Sequence, residues 1–278
     1  MTKESKCHFE FKISNYTPYA ILDTQNLFDK DYCDPHGISA LKMFLQQTKP
    51  LNALAGKDMH EQLPNLLVLG YVSAVESYLR GIIRELVRID IASAKECENK
   101  EITYGAAIAY KTAMLPEALL ENCSFASKKN ISESIKKFLG ISINKVENPD
   151  LDKTLDDFSK VCQIRHCIVH RFGHLGSKNA IEFGLNQHKK LLGKPVKLDF
   201  DLLQQIFLIC NNTVKILNNF LFQKVLTRTV EKNYYQWSWN FHDDKKEFKK
   251  YFDIFTADDP QVSIKDAYEA FKTGCPGA

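Results

Sequence analysis

A long amphipathic segment between Met59 and about Ala94 limits the possible folds most strongly. Its apolar residues recur at spacings of three and four, which places them along one face of an α-helix through many turns. These residues are Leu63, Leu66, Leu67, Leu69, Val72, Val75, Leu79, Ile82, Ile83, Leu86 and Ile89. Pro64 suits the first turn of this helix, where a backbone N–H has no partner within the helix. The segment therefore predicts a core helix of a mainly helical protein.

Further helices are predicted at Ser127–Leu139, at Leu151–Arg171 and from about Asp199 onward, each with an apolar face. Between the last two, apolar and polar residues alternate at Ala180–Leu185 and at Pro195–Phe200. Alternation of this kind favours two short strands, and the Lys- and Gly-containing segment between them favours a turn. The expected fold is therefore mainly α, a helical bundle with a small β-hairpin inserted before the last long core helix.

The helical domain is expected to cover residues 59–226, with irregular extensions on both sides. Residues 1–58 form the N-terminal extension, and residues 227–278 form an aromatic and charged C-terminal extension packed on the same domain. The C-terminal extension begins with a dense aromatic cluster, Tyr234–Trp239, which contains both tryptophans. The cluster is interpreted as part of the core or of a dimer contact, and stacking on single-stranded bases is the alternative.

No apolar run approaches the roughly 18–20 residues that a membrane span needs. The segment after Met1 does not resemble a secretory signal, and the eight cysteines are widely spread. We therefore expect a cytoplasmic protein with free thiols and no membrane partner. The net charge of +3 leaves room for a local basic cleft. Three arginines of the long helix, Arg80, Arg84 and Arg88, form a ridge that is either a solvated face or a phosphate-binding surface.

The stretch Gln163–His174 concentrates the reactive side chains of the chain, with three histidines and two arginines within ten residues. A histidine can take a proton from a ribose 2′-hydroxyl near neutral pH. An arginine binds a phosphate through a planar charged fork and stabilises the charge that develops during transfer. Arg165 and His170 lie about 140° apart around a helix axis, so they flank a cleft rather than share a face. A second copy of the helix would bring both types of side chain to one cleft.

Three other interpretations of this stretch stay open. His166 and His170 are four residues apart, as metal ligands on a helix often are, although no glutamate lies between them to act as a base. Cys167 is a possible nucleophile, but its neighbours are apolar. The third interpretation is that these residues are ordinary polar groups on a half-buried helix.

The six residues Arg165–His170 resemble the motif of the HEPN superfamily of helical ribonucleases. In that motif an arginine and a polar residue are followed by three residues and a histidine. His166 takes the polar position, where asparagine or aspartate is commoner. A helix carrying Glu76 precedes the motif, and a glycine, the predicted hairpin and then a long apolar helix follow it. This order is similar to that of the stand-alone HEPN proteins of the RiboL-PSP type. The resemblance covers roughly residues 60–226.

The resemblance implies an RNA endonuclease that works as a homodimer without a metal or other cofactor, commonly as a toxin or an anti-phage effector. Arg165 would then bind the scissile phosphate, and His170 would act as the acid or base. His166 would orient the cleft or bind substrate, with Glu76 in a supporting role. Arg171, which the motif does not include, is a further candidate for contact with the RNA backbone. The implied partners are RNA, with tRNA as one candidate, a second copy of the chain, and a cognate antitoxin or regulatory protein. The alternative is a non-catalytic HEPN-like module that binds a partner protein or a nucleotide.

Overall fold

The long helix expected from the apolar periodicity lies at the centre of the fold in the computed structural model of the chain. The structure describes residues 21–32, 38–258 and 262–275, together with Phe9, Phe11, Ile13 and Ser14. The chain divides into two units, residues 1–36 and residues 37–278. In the first unit, the described residues include one 3-10 turn, Thr24–Leu27, whose cap Asp23 accepts the Gln25 N–H at 3.1 Å.

The described residues of the second unit form twelve α-helices, so the mainly α prediction is confirmed. They are α1 (Ala40–Leu54), α2 (Leu63–Ile89), α3 (Ile91–Cys97), α4 (Tyr104–Ala109), α5 (Leu115–Leu120), α6 (Lys128–Leu139), α7 (Pro149–Arg171), α8 (Ser177–Glu182), α9 (Leu185–His188), α10 (Phe200–Glu231), α11 (Phe241–Phe255) and α12 (Ile264–Gly274). Short 3-10 turns occur at Thr112–Met114 and Lys189–Leu191.

Helix α2 packs against α1, α3, α5, α6, α7, α10 and α11, and α10 packs beside α7. The aromatic side chains of Tyr71, Tyr78, Phe138 and Phe158 are almost fully buried along these contacts. Full burial of one large apolar side chain contributes about 1.5–3 kcal/mol, so this layer stabilises the bundle. Among the described helices, only α2 is long and apolar enough to cross a membrane, and 61% of its most apolar window is buried inside the fold.

The ends of α6 and the start of α10, two helices that pack around α7, follow from local sequence. Ser127 caps α6 by accepting the Asn130 N–H at 3.1 Å, and Gly140 ends that helix in the left-handed conformation, with φ of +65°. Asp199 caps α10 by accepting the Leu202 N–H at 2.8 Å. These contacts explain why both ends of α6 and the start of α10 lie within one residue of the predicted positions.

The predicted β-hairpin is wrong. Residues 177–182 form α8, and the segment Pro195–Asp199 makes only an isolated antiparallel bridge, between Pro195 and His174. Ala180 and Phe183 are three residues apart and pack together against the end of α7, a helical spacing that the short alternating pattern concealed. Alternation over five or six residues does not distinguish a strand from a helical turn in this case.

The extensions are less irregular than the expected fold class states. The sequence does predict helices near residues 39–47 and 264–272 and helix-like pieces up to residue 255, where α1, α12 and α11 lie. Part of the N-terminal extension is α1, whose Phe44 is fully buried in the core. The C-terminal extension contains α11 and α12, which contribute Phe248 and Tyr268 to the same core. Trp237 is 8% exposed and donates its indole N–H to the Thr229 hydroxyl at 2.9 Å. The aromatic cluster therefore packs its central tryptophan into the core.

Candidate functional site at the end of α7

The Arg165–His170 motif occupies the last two turns of α7. The helix ends at Arg171, and Phe172 follows in the left-handed conformation with φ of +50°. The backbone N–H groups of Phe172 and Gly173 both donate to the Cys167 carbonyl, which satisfies one of the free acceptors of the helix end. Basic side chains are favoured here because the C-terminus of a helix carries partial negative charge.

His166 and His170 lie against each other on one face of α7. Their ring centroids are 4.5 Å apart and the ring planes meet at 55°. His166 is half-buried, whereas His170 is exposed to solvent. The spacing of four residues produces this contact, because such residues are neighbours on a helix surface. The structure therefore presents a histidine pair with one member held inside and the other accessible.

A buried amide, that of Asn179 in α8, holds the inner histidine. The Asn179 Nδ2 group donates to the His166 Nδ1 at 3.0 Å, and also contacts the Gln163 Oε1 at 2.9 Å and the Gln163 carbonyl oxygen at 3.3 Å. A backbone carbonyl can only accept, so the Nδ2 group is the side of the amide that faces α7. The His166 Nδ1 must then accept, and the neutral ring carries its proton on Nε2.

We expect nitrogen-15 NMR spectra at neutral pH to show the Nε2–H tautomer at His166. Replacing Asn179 with aspartate puts an acceptor where the donor stands, so Asn179→Asp should move the proton to Nδ1 or charge the ring. Asn179→Ala should leave His166 with mixed tautomers. An Nδ1–H signal in the wild type would contradict the assigned hydrogen bond.

The close approach of α8 to α7 leaves little room for a side chain at Gly176. A Cβ atom there would lie 3.1 Å from both the Arg171 Cδ and the Asn179 Oδ1. The small residue therefore lets the Arg171 side chain cross the start of α8. Nothing in the sequence marks Asn179 as part of the site, because its contacts with α7 join residues 13 and 16 positions apart.

Arg165 and Glu76 lie on another side of α7, near Cys162. The pKa of the Cys162 thiol is raised to about 12, mainly by burial and also by the Glu76 carboxylate, while the Arg165 guanidinium acts to lower it. Glu76 also accepts the Phe125 N–H at 3.1 Å, which fixes the chain after α5. Among the hydrogen bonds and ion pairs of the described residues, none joins Arg165 to His170. The structure brings His166, His170 and Asn179 together, and places Arg165 apart from them.

Cys167 is an unfavourable nucleophile in this structure. Its side chain is 1% exposed and packs with Leu175 and Ala180, and burial raises the pKa of its thiol. Because the thiolate is the reactive form, we expect native protein at pH 8 to resist labelling by a thiol reagent at Cys167. Mass spectrometry should find this cysteine labelled only after unfolding in urea. Rapid labelling of the native protein at Cys167 would restore it as a candidate nucleophile.

The three arginines of the α2 ridge all have partners within the chain. Arg80 donates to the carbonyl oxygens of Leu120 and Cys123 at 2.6 and 2.7 Å. Arg84 and Arg88 both pair with Glu85. The ridge is therefore a structural element rather than an open phosphate-binding surface. In the part of the chain that the structure describes, no group of three or more His, Cys, Asp or Glu side chains is arranged to hold a metal ion.

Comparison of the chain with protein-family models, with curated proteins and with solved structures found no match. The function proposed below therefore depends on the residues at the end of α7 and on their geometry.

Proposed function

We propose that the chain is a metal-independent RNA endonuclease of the HEPN type. The observation that carries the proposal is the histidine pair at the end of α7, where an accessible His170 lies 4.5 Å from a His166 that Asn179 orients. The accessible imidazole of His170 lies next to the oriented imidazole of His166, and Arg165 directly precedes His166 in sequence. These residue types can transfer protons to and from the oxygens of a reacting phosphate and bind its charge.

The proposed reaction is the attack of a ribose 2′-oxygen on the adjacent phosphorus. His170 takes the proton of the 2′-hydroxyl as the new P–O bond forms. The bond to the 5′-oxygen of the next nucleotide then breaks, and that oxygen takes a proton from a second acid. The products are a 2′,3′-cyclic phosphate and a 5′-hydroxyl. An arginine on the phosphate stabilises the charge that builds up on its free oxygens.

A second copy of the chain would complete this site. Within one chain Arg165 and His170 are on different sides of α7, so one subunit presents the base without the arginine beside it. In a homodimer, Arg165 would serve the phosphate that the partner subunit's His170 acts on. Two large apolar side chains near the motif, Val169 and Leu66, are 47% and 61% exposed and would be covered by such a contact. Gly173 lies beside Asn65, which places the start of α2 at the end of α7.

The proposed biological role is that of a cytoplasmic toxin or anti-phage effector, restrained by an antitoxin or regulatory protein. Induced expression of the wild type should then arrest growth, and expression of Arg165→Ala or His170→Ala should not.

The enzymatic proposal is tested by incubating purified protein with total RNA and with tRNA in excess chelator. We expect discrete fragments with wild-type protein and intact RNA with His170→Ala. Cleavage that chelator abolishes would favour a metal-dependent reaction instead. Intact RNA with both proteins, together with tight capture of a protein or nucleotide, would favour a non-catalytic binding module.

A further inference from the structure

The chain between α7 and α10 folds back onto the end of α7 as one loop, which we call the basic loop (residues 175–197). Its two ends are joined by backbone hydrogen bonds, from Leu175 N–H to the Lys194 carbonyl and from Gly193 N–H to the Leu175 carbonyl, each at 2.9 Å. A third bond runs from Val196 N–H to the Gly173 carbonyl at 2.8 Å. The Asn179 side chain adds its bonds to His166 and Gln163. The basic loop is therefore fixed to the candidate site at both ends.

Positive charge is concentrated in this part of the molecule. Residues 163–198 contain seven lysines and arginines and a single carboxylate, Glu182, a net charge of +6. The whole chain carries +3, so the other residues together carry −3. The basic loop contributes five lysines, all of them exposed: Lys178, Lys189, Lys190, Lys194 and Lys197.

These cations have no acidic partners in the described part of the chain. None of the seven lysines and arginines of residues 163–198 forms an ion pair with a described carboxylate. Elsewhere some basic side chains are paired, as Lys128 is with Asp152 and Asp156, or Lys249 with Asp253. A dense set of unpaired lysines attracts a polyanion, and no ion pair within the described part of the chain has to break when the polyanion binds.

Phe172 lies in sequence between the histidine pair and the basic loop. It is 78% exposed and adopts a left-handed backbone conformation, with φ of +50°. A bulky residue rarely adopts this conformation, which costs roughly 1–2 kcal/mol, and a large exposed aromatic ring gains no burial in exchange. An exposed ring next to a cluster of cations is the combination that stacks and holds an unpaired base.

We propose that the basic loop and Phe172 form the surface that holds single-stranded RNA as it leaves the cleavage site. A base stacks on Phe172, and the phosphates that follow lie along Lys189, Lys190, Lys194 and Lys197. The proposal rests on the proposed function for the identity of the RNA, but it concerns binding rather than cleavage. An anionic lipid surface would also be attracted to lysines, yet it would make no use of a stacking ring beside a histidine pair.

The proposal is tested by equilibrium binding of a fluorescent single-stranded RNA to the full chain carrying His170→Ala, which prevents cleavage during the measurement. Replacing the four lysines with glutamine should weaken binding on the order of 10²-fold at 0.1 M salt. The slope of log K against log salt concentration should become shallower by about 0.7 for each phosphate that the variant no longer binds. Phe172→Ala should weaken binding at all salt concentrations without changing the slope, and Phe172→Trp should preserve binding.

The matched control replaces four exposed lysines outside the basic loop, Lys111, Lys136, Lys246 and Lys265, with glutamine. It makes the same change in net charge and should keep the wild-type salt slope to within the change expected for one phosphate. Equal weakening by the two quadruple variants would show that only net charge matters and would overturn the proposal. If the quadruple variant of the basic loop no longer bound phosphatidylglycerol vesicles but bound RNA as before, the proposal would be overturned in favour of a lipid surface.

The outcome also separates this proposal from the enzymatic one. Lysine-dependent RNA binding by a protein whose wild type cleaves no RNA would leave the basic loop proposal standing and refute the nuclease. Cleavage by the wild type, together with RNA binding that changes neither in the lysine variant nor in Phe172→Ala, would support the nuclease and refute the basic loop proposal.

Discussion

Replacement of His170 by alanine is expected to lower the rate of RNA cleavage by about 10²–10⁴-fold, the usual contribution of a positioned acid or base. The residue is exposed at the end of α7, so its loss should change the free energy of unfolding by no more than about 0.5 kcal/mol. Single-turnover cleavage of an end-labelled RNA measures the rate, and urea unfolding followed by circular dichroism measures the stability. A slower reaction with unchanged stability would assign the loss to chemistry.

His174 provides the matched control for this substitution. It lies four residues further along and is exposed. Its ring contacts the Arg171 carbonyl at 3.0 Å, and its backbone bridges to Pro195. His174→Ala should leave the cleavage rate unchanged. Equal losses for His170→Ala and His174→Ala would mean that any histidine of the region supports binding, and that His170 has no special role.

The largest expected effect on stability comes from Arg228 in α10. Its guanidinium donates to the carboxylate of Asp90, to the Leu139 carbonyl and, at 2.7 Å, to the Ser93 hydroxyl. Asp90 is 1% exposed, so Arg228→Met would leave a carboxylate buried without its counter-charge. Loss of one partner from a buried pair costs about 3–5 kcal/mol, a large share of the roughly 5–15 kcal/mol that holds a domain together. Urea unfolding at pH 7 should show this difference.

Two controls separate burial from charge in this prediction. Arg88→Met removes a side chain that is 44% exposed and paired with Glu85, and such surface pairs are worth about 0–1 kcal/mol. The double variant Arg228→Met/Asp90→Asn should be more stable than Arg228→Met alone, because no unpaired charge remains. A double variant as unstable as the sum of its single changes would contradict the account of this network.

The sequence was sufficient to predict the elements whose pattern extends over several turns. The apolar stripe of α2 and the capping residues of α6 and α10 act locally, so their helices could be located without knowledge of the tertiary fold. The segment after α7 was predicted wrongly for the opposite reason. Ala180 is buried and Phe183 is half-buried because α8 packs back on the end of α7, and this contact leaves no periodic signal in six residues.

The candidate site likewise has one part that local sequence predicts and one part that depends on tertiary contacts. The motif residues are adjacent in sequence, so their concentration at one helix end was visible, and the contact between His166 and His170 follows from their spacing. The role of Asn179 depends on a loop that returns to α7, and no local pattern predicts it. Arg165 and His170 stay on different sides of one helix, as their spacing requires, and the completion of the site by a second subunit remains a prediction.

The central claim, that the chain cleaves RNA through the 2′-oxygen of its substrate, is tested most directly with one labelled oligonucleotide. Once the cleaved position is mapped, the same RNA is made with a single 2′-deoxyribose there. In excess chelator, wild-type protein should cut the all-ribose strand to give a 2′,3′-cyclic phosphate and a 5′-hydroxyl, and should leave the substituted strand intact at that position. Cleavage of both strands at the same bond, with a 5′-phosphate on the product, would contradict the account.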